Sequence, residues 1–115
     1  MPSVGIDVEQ VSKIERVLAR NSRFAQKCFC PAERDYCDRM RSPVRHYAAR
    51  FCAKEAFAKA IGQPLRWHDV EVVRSQTGKP GILARGAAAE LLAGRNVEVS
   101  ISHGGDYAVA VVIIE

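Results

Sequence analysis

The chain predicts an α+β fold class: a small antiparallel sheet packed against one long helix and shorter helices. Three observations point there. Pro43 to Ile61 is an uninterrupted helical stretch with Ser42 before it and Gly62 after it. Val97, Val99 and Ile101 alternate with Glu98, Ser100 and Ser102, the period of a strand with one wet face. Helical segments come first and most strand-like ones later, which suits segregated layers better than an alternating parallel sheet. At 115 residues, 48% hydrophobic and 26% charged, the composition is that of a folded protein, and residues 1–115 make a single domain.

Val4, Ile6 and Val8 alternate with Gly5 and Asp7, which predicts a short first strand. Asp7 and Gln10 have the spacing of a capping box and predict a helix opening there and running to about Arg20. Val11, Ile14 and Leu18 form its apolar stripe, and Lys13, Arg16 and Arg20 repeat that spacing on the opposite face. Asn21 to Arg23 breaks the pattern, and Pro31 suits the first turn of a short helix through Met40. Ser42 and Pro43 read as N-cap and first residue of the long helix, which stops at Gly62 with Pro64 just beyond. Asp69 to Arg74 reads as a strand, Thr77-Gly78-Lys79-Pro80 as a turn, and Gly86 to Gly94 as a short helix. After the alternating strand, Gly104-Gly105 turns the chain into Tyr107–Ile114, a strand apolar on both faces. Such a strand predicts burial on both sides, one of them against another subunit.

The formal net charge is +4, with 12 arginines to 5 lysines. From Lys13 to Lys59 there are 12 basic and 5 acidic residues; elsewhere there are 5 and 8. The first half therefore faces something acidic: nucleic acid, an acidic protein or a phosphorylated small molecule. The arginine bias favours phosphate or carboxylate, whose oxygens match the guanidinium fork. No apolar run reaches the ~18–20 residues of a membrane span. MPSVGID lacks the basic-then-apolar pattern of a signal peptide, so no membrane association and a cytoplasmic location are expected. Cys28, Cys30, Cys37 and Cys52 fall at irregular spacings, which predicts buried thiols rather than zinc ligands or a disulfide framework.

Glu55 has Phe51, Cys52, Ala58 and Lys59 as helical neighbours, at the edge of a buried stripe. On spacing alone Glu55 and Lys59 are most simply an ordinary helix ion pair, and Asp7 most simply a helix cap. Together, Asp7 and Glu55 suit one hard divalent cation such as Mg2+, with Lys59 and arginines left to neutralise phosphate, a set fitted to phosphoryl transfer. His103, at a strand end after Ser100-Ile101-Ser102, suits a phosphate or ribose contact. No P-loop, dinucleotide-binding or nucleophile-elbow motif is present.

Taken in order, Gly5-Ile6-Asp7, the stretch Arg50-Phe51-Cys52-Ala53-Lys54-Glu55-Ala56-Phe57-Ala58-Lys59-Ala60, Gly78-Lys79-Pro80, and Ser100-Ile101-Ser102-His103 followed by Tyr107-Ala108-Val109-Ala110 resemble the holo-[acyl-carrier-protein] synthase family, the small bacterial type of 4′-phosphopantetheinyl transferase. The resemblance runs over essentially the whole chain. It implies the fold of those enzymes and their reaction: transfer of phosphopantetheine from coenzyme A to a serine of an apo acyl carrier protein, with Mg2+, releasing adenosine 3′,5′-bisphosphate. It implies Asp7 and Glu55 as metal ligands and, with Lys59, as the catalytic set. The serine proton passes either to Glu55 or to a water beside the cation. Lys59 and His103 match residues beside the coenzyme's phosphates, and Arg50, Lys54 and Gly78-Lys79-Pro80 match positions lining its site. Arg41 and Arg45 are candidates for the 3′-phosphate. Lys13, Arg16 and Arg20 match the surface that meets the acidic helix of the carrier, which serves fatty acid or polyketide synthesis, and the family's usual assembly implies a homotrimer. Two departures stand out: Lys13 replaces the family's usual arginine, and Gly62 to Trp67 is a few residues shorter than its glycine-rich loop. The rivals are a non-catalytic module for nucleic acid or another polyanion, a degenerate structural homologue, and a magnesium phosphohydrolase.

Overall fold

The computed structural model describes residues 1–115. β1 (Ser3–Gln10), β5 (Tyr107–Ile114) and β4 (Val97–Gly104) form an antiparallel sheet in the order β1-β5-β4. β2 (Val70–Arg74) and β3 (Pro80–Ala84) pair as a separate antiparallel ribbon. The helices are α1 (Val11–Arg20), α2 (Phe24–Cys28), α3 (Pro31–Arg39), α4 (Pro43–Ile61) and α5 (Gly86–Leu92), with a single 3-10 turn over Trp67–Asp69. No helix is long and apolar enough to cross a membrane.

α4 lies across β1 and β5, and its small buried residues Cys52, Ala53, Ala56 and Ala60 let it close on the sheet. The tightest approach is at Gly5, where a Cβ would stand 1.9 Å from the carbonyl oxygen of Ala56 and 2.6 Å from the nitrogen of Ala60. Only a residue without a side chain fits there. α4 ends at Gly62, whose φ of 95° stops the helix while its N–H still donates to Ala58, 2.8 Å away. One core joins this face of α4 to Val70 and Val72 of β2, Ala88 of α5, Val99 of β4 and Ala110, Val112 and Ile114 of β5. A second gathers Ile14, Cys28, Phe29, Cys37, Tyr47, Ala48 and Ala108 beneath α1, α2 and α3. All four cysteines are free and buried, as expected.

The structure corrects several expectations. Asp7 is not a helix cap. β1 pairs with β5 from Ser3 through Gln10, with Asp7 opposite Ala110. Eight residues of ladder outweigh one local cap. The start of α1 is held by Asp106 in the β4–β5 turn. Its carbonyl accepts from Val11 N–H at 2.7 Å, and its carboxylate accepts from Ser12 N–H at 3.0 Å and from the Ser12 hydroxyl at 2.6 Å. The strands form two sheets rather than one, and β3 and α2 are additions to the predicted elements. Within one chain β5 is buried on one face only, at Ala108, Ala110, Val112 and Ile114. On the other face Ile113 is exposed and Val109 and Val111 half-buried, and in register beside them Val8, Ile6 and Val4 of β1 are 57%, 58% and 65% exposed.

Candidate active site

Gly5 seats β1 under α4, and the two-residue period of the strand carries Asp7 to the same face. There it meets Glu55 and Lys59, one helical turn apart on α4. The Lys59 ammonium donates to Asp7 Oδ1 and to the Ile6 carbonyl, each at 3.0 Å. The simple helix pair with Glu55 is therefore not what forms. The Asp7 side chain is nine-tenths buried, and its second oxygen, Oδ2, has no hydrogen-bond partner. Partial burial, reinforced by the charge of Asp7 and opposed by Lys59, pushes the Glu55 carboxyl above the usual carboxylate range. The Asp7 carboxylate, a partner for its ammonium, raises Lys59.

Glu9, two residues further along β1, joins this group and was not foreseen. Burial first, then Asp7 and the charge of Glu55, push its carboxyl up to about 7, with Lys13 opposing. The signal was available: residues 5, 7 and 9 share a face once β1 is read through to Gln10.

Beside these carboxylates opens a cavity of about 580 Å3. Glu55, Ala58 and Lys59 line it from α4, and the segment from Gly62 to Trp67 walls the far side. Trp67 is held by stacking on Phe51, ring centres 5.0 Å apart. Lys54 also borders the cavity, but its ammonium is not available to a ligand. It is spent on Glu33 Oε1 at 2.7 Å and on the carbonyls of Cys28 at 2.8 Å and Trp67 at 3.1 Å. Three donors meet three acceptors. Glu33, equally buried, also accepts from the N–H groups of Cys30 and Val72, both at 2.8 Å. The expected contact of Lys54 with coenzyme is thus replaced by a structural role: the pair ties α3, the end of α2, the 3-10 turn and β2 to α4.

The remaining expected residues form a second group. Arg50 is buried, its guanidinium 3.9 Å over the Tyr36 ring and its Nε without a partner. Arg74 lies over the same ring at 5.5 Å and donates to the Gly78 carbonyl at 2.6 Å, which fastens the Gly78-Lys79-Pro80 turn to this cluster. His46 meets the Tyr36 edge, and desolvation, then Arg50, Arg74 and His103, push it below the usual histidine range. Arg50 and Arg74 bring two positive charges to this cluster beside His46, which suits it to an anion. His46, Arg74 and Tyr36 were not anticipated. Lys79 pairs with Glu98 at 3.2 Å on the surface. Arg41 and Arg45 are exposed and unpaired, as are Lys13, Arg16 and Arg20 along α1. Arg50 and His46 precede Lys59 and Glu55 by nine residues each, which at about 100° per residue is half a turn of the helix. The cationic cluster and the carboxylates thus stand on opposite faces of α4.

Asp7 and Glu55 offer the oxygen donors that a hard divalent cation takes, and Asp7 Oδ2 is buried with nothing to satisfy it. The structure holds no cluster of three or more His, Cys, Asp or Glu side chains arranged for a metal, so waters and substrate oxygens would complete the shell of a cation bound there.

The 4′-phosphopantetheinyl transferase superfamily (ACPS) matches residues 3–112. Among curated proteins, the holo-[acyl-carrier-protein] synthase of Geobacter metallireducens is 44% identical, over 96% of this chain and 94% of the relative. The ACPS–CoA complex of Chronobacterium ammoniagenes superposes with a TM-score of 0.88 at 30% identity, covering 100% of this chain and 97% of that one. The holo-[acyl-carrier-protein] synthase of Neisseria meningitidis gives 0.88 at 30% identity over 98% and 97%. The class is therefore that of the phosphopantetheinyl transferases, and within it the chain belongs to the holo-[acyl-carrier-protein] synthase family.

Proposed function

We propose that this enzyme transfers 4′-phosphopantetheine from coenzyme A to a serine of an apo acyl carrier protein, with Mg2+, and releases adenosine 3′,5′-bisphosphate. The observation that carries the reading is the unsatisfied, buried Oδ2 of Asp7, whose other oxygen holds Lys59; Lys59 and Glu55 line a cavity sized for a cofactor. The similar Chronobacterium protein forms a complex with CoA, which supports coenzyme A as the ligand.

Asp7 and Glu55 would hold the cation, which when bound supplies positive charge to the pyrophosphate and to the departing bisphosphate. Lys59, held beside Asp7 and half exposed, adds a cation that can turn to phosphate oxygens. Glu55, which lines the cavity, would take the serine proton as the oxygen attacks phosphorus. The cationic cluster with His103 and Arg50, joined by Arg41 and Arg45, binds the coenzyme's phosphates. It faces away from the carboxylates of its own chain, and the outer sheet face is open and apolar. Both features support a homotrimer in which one subunit's cluster completes its neighbour's site. The exposed Lys13, Arg16 and Arg20 stripe supports docking of the carrier's acidic helix.

The test follows the nucleotide product. With coenzyme A, Mg2+ and apo carrier, the bisphosphate should appear one for one with modified carrier, and a chelator should stop it. Bisphosphate released without carrier would make the protein a phosphohydrolase. None under any condition would leave a binding module.

A further inference from the structure

Asp106, in the turn between β4 and β5, has no part in the chemistry, yet it holds the start of α1, 94 residues from it in sequence. The first N–H groups of a helix find no partner within the helix. α1 has no cap of its own: Gln10 before it makes no side-chain cap bond, and its first turn contains no acidic residue. Asp106 supplies what is missing. Its main-chain carbonyl accepts from Val11 N–H at 2.7 Å, and its carboxylate accepts from Ser12 N–H at 3.0 Å and from the Ser12 hydroxyl at 2.6 Å. Donation from Ser12 holds the Asp106 carboxyl below the usual carboxylate range, so it is charged at neutral pH, and a negative charge suits this end of a helix. Packing adds less: Ile14 is the one residue of α1 that is fully buried. Lys13, the first member of the basic stripe, directly follows Ser12, and Arg20 closes the helix about two turns later. Asp106 is itself exposed and its charge reaches Arg16. By charge alone it would repel an acidic partner docking on that stripe.

We propose that Asp106 is a positioning residue for the carrier protein: it fixes the first turn of α1, so that Lys13 meets the acidic carrier in one place. The inference rests on α1 as the docking surface and adds the residue that sets it. The main-chain bond to Val11 survives any substitution at 106, so the carboxylate is what a variant removes. Without it the first turn frays and Lys13 is spread over several positions, while Arg20 stays in place. Ordering Lys13 again then costs part of the binding free energy.

Steady-state transfer to an apo acyl carrier protein gives the KM for carrier, the KM for coenzyme A and kcat. Asp106→Ala removes the carboxylate; Asp106→Asn loses the charge but keeps an acceptor oxygen. Asp106→Ala should raise the carrier KM about fivefold, the effect of losing a helix cap, with kcat and the coenzyme KM unchanged. Asp106→Asn should take the carrier at least as well as wild type. A role of charge alone predicts the opposite for Asp106→Ala, a lower carrier KM. Lys13→Ala and Arg20→Ala supply the second readout. Asp106→Ala should add less than its full factor on top of Lys13→Ala, and its full factor on top of Arg20→Ala. The proposal is overturned if Asp106→Ala has a carrier KM within about twofold of wild type or below it, if Asp106→Asn loses as much as Asp106→Ala, if the coenzyme KM rises equally, or if both backgrounds show the same factor. If wild type transfers but neither Lys13→Ala nor Arg20→Ala changes the carrier KM, docking on α1 falls and the role of Asp106 with it. If wild type transfers nothing, the transferase reading itself falls.

Discussion

Replacing Gly5 by alanine perturbs the contact on which the site geometry depends. The added carbon would stand 1.9 Å from Ala56 O and 2.6 Å from Ala60 N, whereas unbonded carbon and oxygen settle at about 3.3 Å or more. Both obstacles are main chain, so no rotamer change relieves them, and β1 and α4 must separate by about 1.4 Å. Asp7 moves with β1, while Glu55 and Lys59 stay with α4. The Lys59–Asp7 bond, now 3.0 Å, would then lengthen beyond hydrogen-bonding range. Overpacking against rigid groups falls at the upper end of its usual cost, about 3 kcal/mol. In a chain of 115 residues that lowers the melting temperature by roughly 10–15 °C. Thermal unfolding by circular dichroism measures the first effect and the transfer rate the second. Gly104→Ala is the control, since its Cβ would meet nothing within 4 Å, and it should be nearly neutral. A Gly5→Ala protein that melts within about 2 °C of wild type and transfers at an unchanged rate would refute the reasoning.

Three further outcomes are expected. Lys54→Met leaves the Glu33 carboxylate buried without its cation, so urea denaturation should show a loss of about 3–5 kcal/mol, with part recovered when Glu33→Gln is added. Above pH 9 the chain should become progressively less stable. Burial holds the Cys37 thiol up at about 12 against an ordinary 9.0, so the unfolded chain releases a proton that the native chain keeps. Unfolded protein then binds fewer protons, and Cys37 alone removes about 1.4 kcal/mol per pH unit between those values, with Tyr47, also raised, adding to it at higher pH; equal stability at pH 8 and pH 10 would contradict this. Light scattering should give a particle of about three times the 12.7 kDa chain mass, and Ile6→Lys, which puts a charge on the open sheet face, should reduce it to one chain.

The fold was legible where the pattern is long or strictly periodic. The 19 residues of α4, bracketed by Pro43 and Gly62, and the alternation along β4 carry their own assignment. What was missed is short or set by distant partners. α2 has only five residues, too few to show a period, and β3 begins with Pro-Gly, which reads as turn until β2 is there to pair with it. Asp7 has the spacing of a cap, but β5, a hundred residues later, claims it for the sheet. In the site, Asp7, Glu55 and Lys59 were identified from order and resemblance, and the fold gathers them. Lys54 lies within the same motif, yet its ammonium is bound to Glu33, a partner 21 positions away that no local pattern connects to it. Glu9 escaped notice because the first strand was ended at Val8. Arg50 was anticipated, but its companions His46, Arg74 and Tyr36 come from three elements that only the tertiary structure brings to one place.

The central claim, that Asp7, Glu55 and Lys59 form a site for phosphopantetheine transfer, is tested most directly by the intact mass of an apo acyl carrier protein. The carrier is incubated with coenzyme A, Mg2+ and either wild type or Glu55→Gln. Wild type should add one phosphopantetheine to the carrier. The near-isosteric Glu55→Gln, folded by circular dichroism, should add it at a rate at least about a hundredfold lower. A carrier modified equally fast by the variant would remove Glu55 from the mechanism, and a carrier left unmodified by wild type would contradict the transferase itself.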